Sequence, residues 1–176
     1  MRIKQNSTMA YRVLRAVNGA GVGLRKEVRT MREALVLLGR QTIRRWVSVL
    51  ALADLGGPSV DALVTWSTVR ARFCELVAEQ SNRPRLQTRG FLLGLCSLLD
   101  GLLDCPMPNA VEALPLDNDT KTALLGVPSD LRTLLGGAIA YERGEWSRCC
   151  ELASELGVEP TVLPRLYADA LRWSNA

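Results

Sequence analysis

A chain of 176 residues, 48% apolar and 23% charged, can bury one sizeable core but not two generous ones, and that balance suits neither disorder nor a coiled coil. The formal charge of +4 is unevenly spread: residues 1–50 carry eleven Lys/Arg against two acids, residues 51–100 five against five, and residues 101–176 six against eleven. Histidine is absent, which excludes Ser-His and Cys-His nucleophile pairs, histidine-built metal sites and the one side chain that ordinarily titrates near neutral pH.

From Ser7 to Asn18 an N-cap is followed by Tyr11, Leu14 and Val17 on one helical face, with Arg12 and Arg15 elsewhere. Gly19, Gly21 and Gly23 then mark a turn. GAGVGL is superficially like a phosphate loop, but it follows a helix, not a strand, and lacks the Lys-Ser/Thr that such a loop needs. Thr30 and Glu33 stand at capping-box spacing, Gly39 suits a helix end, and Ile43, Trp46, Val47 and Leu50 recur as an amphipathic stripe. Two short helices meeting at Gly39 are the expectation, and the chain is organised around them.

Gly56-Gly57-Pro58 breaks the chain, and Ser59 is placed to cap a long helix ending near Glu79, with Leu63, Trp66, Val69, Phe73 and Leu76 on one side. Gln80 to Gln87 is a polar connection. Gly90 to Leu103 is apolar almost all round and reads as the core helix, and Gly90, Gly94, Ser97 and Gly101 would let a neighbour approach closely. Asp100 within it should reach solvent or pair with an arginine, since a buried lone charge is costly. Short helices are expected over 109–114 and 118–125, then a helix capped by Ser129 and closed at Gly144, another over 145–156 stopped by Gly157, and a last one from Pro160 to about Ser174. The fold class is therefore all-α, a single-domain helical bundle.

The five cysteines, Cys74, Cys96, Cys105, Cys149 and Cys150, form no CxxC pair, and the N-terminus shows no secretory apolar region, so buried free thiols in a reducing cytoplasm are the simplest account. The longest apolar block has fourteen residues and an aspartate, short of a bilayer. No loop of calcium-binding type occurs, and the acids cluster at capping and surface positions. The expectation is no catalytic residue, no cofactor, no metal and no membrane association.

The run YRVLRAVNGAGVGLRKEVRTMREALVLLGRQTIRRWVSVLALA resembles the HDOD domain, with its R-x-L-R-x-x-N-S-A-x-x-G-L pattern followed by R-E-A-L-x-L-L-G. TVRARFCELVAE, GFLLGLCSLLDGLLDCPM, AYERGEWSRCCELASELGV and LYADALRWSNA look like the HDOD half of EAL-HDOD proteins, bacterial regulators linked to cyclic di-GMP. The resemblance covers Ala10 to Asn175, with Asn18-Gly19-Ala20 where the family has Asn-Ser-Ala. It implies a fold of the HD phosphohydrolase type without most of the metal ligands. Ser97 and Leu98 fall where the His-Asp dyad would stand, and Arg70 falls near an earlier metal histidine. The family's further first helices and an N-terminal EAL domain are not visible, so the expectation is one HDOD-like domain over 1–176, taken from a longer protein or a shortened relative.

The function so implied is a non-catalytic signalling module that contacts a protein, such as an EAL or GGDEF enzyme, through Arg40, Arg44, Arg45 and Trp46, residue types that dominate interface energies. Plain solvated charge and a core tryptophan are the bland alternative for these four. The second reading is nucleic-acid or nucleotide binding by the basic N-terminal half, with Arg12, Arg15, Arg25, Arg29 and Arg32 contacting phosphate. Few aromatics interleave with these arginines, so base stacking is poorly supported.

Overall fold

The computed structural model of the chain describes residues 58–112 and 116–175, all helix, turn or connection, with no strand among them. Nine α-helices follow one another: α1 (Pro58–Gln80), α2 (Pro84–Gln87), α3 (Gly90–Cys96), α4 (Leu99–Leu103), α5 (Met107–Glu112), α6 (Asn118–Leu124), α7 (Asp130–Glu142), α8 (Trp146–Glu155) and α9 (Leu163–Asn175), the last preceded by a 3-10 turn at Pro160–Val162. The bundle is all-α, as the apolar periodicity and the turn residues predict.

The central helix is α1, not the Gly90–Leu103 block. From Val69 to Ala78 it is buried on almost every side, with α3, α7 and α9 packed around it. Its small residues Ala71, Cys74 and Ala78 explain the choice, because they leave room for the backbone of α3. A Cβ added at Gly94 would lie 2.6 Å from Ala71 Cα and from the Arg70 carbonyl oxygen, and one at Gly90 would lie 3.0 Å from the Cys74 oxygen. The close approach expected of the small residues in α3 is therefore made, and made against backbone. Of the five large residues read on one side of α1, Val69, Phe73 and Leu76 are buried, whereas Leu63 is only half-buried and Trp66 is 48% exposed.

The 90–103 block is also two helices. At the end of α3 the Ser97 hydroxyl donates to the Gly94 carbonyl at 2.6 Å, offering the backbone an alternative to the helix ladder, and Leu98 leaves helical geometry with φ −119° and ψ 21°. Asp100 is exposed, the solvent outcome of the two expected for it.

The remaining ends follow local chemistry. Asp117 caps α6 by accepting from Thr120 N at 3.2 Å, and Ser129 caps α7 by accepting from Arg132 N at 3.2 Å. Gly144 (φ +71°) and Gly157 (φ +76°) close α7 and α8 in left-handed geometry that a side chain would strain. Around the hairpin of α7 and α8 lies a small apolar cavity lined by Phe73, Leu134, Gly137, Leu152 and Leu163. A Cβ on Gly137 would meet Leu152 Cβ at 3.7 Å, an ordinary contact. Gly137→Ala should thus raise stability by about 0.5–1 kcal/mol through helix propensity alone. Urea denaturation checks it, and a lower midpoint would show that α7 and α8 are packed more tightly than described.

Candidate functional site

Three segments converge on one buried guanidinium. Arg70 lies in the middle of α1, where the surrounding core would penalise an unpaired charge by several kcal/mol. Its Nε donates to both carboxylate oxygens of Glu142 at 3.0 Å, its Nη2 to Glu142 Oε2 at 2.5 Å, and its Nη1 to Ser97 Oγ at 2.8 Å. The two side chains keep only 10% and 9% of their exposure, so this is a forked, charge-assisted pair shielded from solvent. Ser97 relays the contact onward, because its own hydroxyl proton goes to the Gly94 carbonyl. The guanidinium fork, the carboxylate and the hydroxyl thereby tie α1, α7 and the α3–α4 break to one point.

Aromatic and thiol groups wall this point. Phe73 packs against Tyr141 and Tyr167 with ring centroids 5.2 and 5.1 Å apart, and the two tyrosines lie 4.8 Å from each other. Cys74, one turn after Arg70, is fully buried. Burial pushes its thiol from an ordinary value of 9.0 up to about 12, with Arg70 pulling it down and Glu142 pushing it up. Burial alone pushes Cys96 to about 12 as well. Neither thiol is available as a thiolate nucleophile near neutral pH. Because both pKa values rise on folding, the stability they contribute is complete below pH 9 and is lost as the pH climbs from 9 toward 12. Each thiol should lower the unfolding free energy by about 1.4 kcal/mol per pH unit in that window. Denaturation midpoints between pH 8 and 11 test this, and a flat profile would contradict it.

The divalent pair of an HD-type centre does not fit here. A guanidinium and a hydroxyl meet where the resemblance put metal ligands, with Leu98 at the turn beside them, and none of the three can hold a divalent ion in place of imidazole and carboxylate. Among the described residues no three of His, Cys, Asp and Glu come together as a metal site. Sequence reasoning found Arg70 and Ser97 but missed Glu142. That residue reads as an ordinary acid at the end of a helix, and its partner is 72 positions away. A carboxylate in the last turn, facing the negative end of its own helix, was the available signal that a cation must lie nearby.

The other predicted site residues, Arg40, Arg44, Arg45 and Trp46, with Arg12, Arg15, Arg25, Arg29 and Arg32, lie outside the described residues, as do the capping box at Thr30 and Glu33 and the turn at Gly39. Among the described residues no helix is long and apolar enough to cross a membrane.

The chain is 31% identical over 176 residues to the uncharacterized protein YuxH of Bacillus subtilis, an alignment covering 98% of this chain and 42% of that protein. It is 31% identical over 173 residues to the cyclic di-GMP phosphodiesterase CdgJ of Vibrio cholerae, covering 98% of this chain and 40% of that protein. The chain thus spans about two fifths of the length of these curated relatives. No solved structure gives a significant match. The family model described as the HDOD domain matches residues 1–103, more than half of the chain and inclusive of both Arg70 and Ser97, and the chain therefore belongs to the HDOD domain family.

Proposed function

We propose that this HDOD domain is a non-catalytic regulatory module of bacterial cyclic di-GMP signalling, acting in the cytoplasm by contact with an attached or partner enzyme of EAL or GGDEF type. One observation carries the reading. A protein named as a cyclic di-GMP phosphodiesterase contains a unit alignable to nearly all of this chain, and the described residues of this chain hold an internal ion pair and no cluster of metal ligands. Contact with the enzyme is assigned to Arg40, Arg44, Arg45 and Trp46, which combine charge with a large aromatic surface. Family membership favours this over the nucleic-acid reading of Arg12, Arg15, Arg25, Arg29 and Arg32.

The test measures cellular cyclic di-GMP by mass spectrometry in a bacterium with and without the chain. Its presence should change the level at least about twofold. Charge reversal at Arg40, Arg44 and Arg45 together should abolish the change. The purified chain alone should leave cyclic di-GMP intact. An unchanged cellular level would refute the signalling role, and hydrolysis by the isolated chain would refute the non-catalytic one.

A further inference from the structure

We infer that Arg70 is the resident cation of a niche built for positive charge, a covalently tethered substitute for a bound ion as the point that joins three helical segments. The argument starts from Glu142. It is the last residue of the thirteen-residue α7, where the helix dipole disfavours a carboxylate, and its side chain is only 9% exposed. Placing an acid there costs free energy twice, from the dipole and from desolvation, unless a cation sits against it.

Ser97 completes the niche. With its proton committed to the Gly94 carbonyl, its oxygen is left as an acceptor turned toward Nη1 of Arg70. Among the described residues the niche therefore presents a carboxylate and a hydroxyl oxygen, both acceptors, to the guanidinium. A planar fork of N–H donors matches that set; among the described residues a divalent ion would find one carboxylate and one neutral oxygen, too few ligands for either calcium or a transition metal. No buried side-chain nitrogen or oxygen among the described residues is left without a partner, the atoms of the guanidinium and its carboxylate included. The family match ends at residue 103, yet the counter-charge comes from residue 142. The C-terminal helices are thus a necessary part of the centre, and this holds whichever signalling enzyme the domain serves.

Chemical rescue tests the inference on the full chain. Arg70→Ala should melt well below the parent protein. Low-millimolar guanidinium chloride should restore a saturable part of the lost Tm, while sodium chloride of equal ionic strength and urea should not. The same guanidinium should leave the parent protein and Arg70→Ala/Glu142→Gln without gain. No rescue, equal rescue of the parent protein, or equal rescue of Arg70→Ala by Mn2+ would each overturn the inference. If Arg70→Ala does not fold, the paired change decides. Arg70→Met/Glu142→Met, which removes both charges, should regain at least half of the Tm lost in Glu142→Met alone, and a double variant no more stable than the single one would overturn the inference.

Discussion

Glu142→Ala should lower the stability of the domain by about 3–5 kcal/mol, the effect expected when one partner of a buried ion pair is removed and the other remains. For a chain of this size that corresponds to a fall in Tm of roughly 6–20 °C. The comparison that gives the number meaning is Asp169→Ala. Asp169 pairs with Arg172 on the exposed face of α9, a contact made by side chains that are 41% and 75% exposed, and such surface pairs contribute about 0–1 kcal/mol. Both variants delete one carboxylate from one arginine, but the Glu142 pair is forked, shielded and joins two helices, whereas the Asp169 pair is an exposed contact within one helix. Thermal unfolding followed by circular dichroism reads the difference, and equal effects would show that the Arg70 centre is solvated.

Gly94→Ala should destabilise by at least about 1–3 kcal/mol, although alanine is ordinarily the better helix former by about 0.5–1 kcal/mol. The added methyl would meet Ala71 Cα and the Arg70 carbonyl oxygen at 2.6 Å, and backbone at that distance cannot swing aside as a side-chain end can. The helix α3 must then lift from α1, which also pulls Ser97 away from Arg70. Gly101→Ala is the internal control. Among the described residues its methyl would meet only the flexible tip of Leu63 at 3.4 Å, so propensity should decide and stability should hold or rise slightly. Equal losses at the two positions would mean that backbone proximity is not what fixes the α1–α3 contact.

These two sites mark how far the chain is legible before its structure is known. Helix ends are local events, and the sequence reading places them well: Ser129 caps α7, Gly144 and Gly157 close α7 and α8, and Asn118 opens α6. The small residues of α3 are equally readable, because Gly90 and Gly94 repeat at helical spacing and allow only a close neighbour. What fails is how far that inward face extends along α1. Of the large apolar residues read on one side of α1, Val69, Phe73 and Leu76 do turn inward, whereas Leu63 is only half-buried and Trp66 keeps 48% of its exposure. The break at Ser97 was hidden too, since a hydroxyl that bonds back to Gly94 looks like any small residue in an apolar run.

The functional centre divides along the same line. Arg70 and Ser97 were reached because the family resemblance aligns them with lost metal ligands, and the structure brings them to 2.8 Å. Glu142 is invisible to spacing, because no periodicity connects residues 72 apart and its role exists only once α7 has folded back on α1. The absence of histidine, in contrast, is complete information in the sequence itself and needs no fold to interpret.

The most direct measurement of the central claim is the metal content of the full chain, purified without chelators from cells supplied with iron and manganese and read by inductively coupled plasma mass spectrometry. An HDOD domain whose centre is filled by Arg70 and neutralised by Glu142 should carry far less than one divalent ion per chain, with the same Tm before and after dialysis against EDTA. One or two equivalents of iron or manganese, lost together with stability on chelation, would contradict the account.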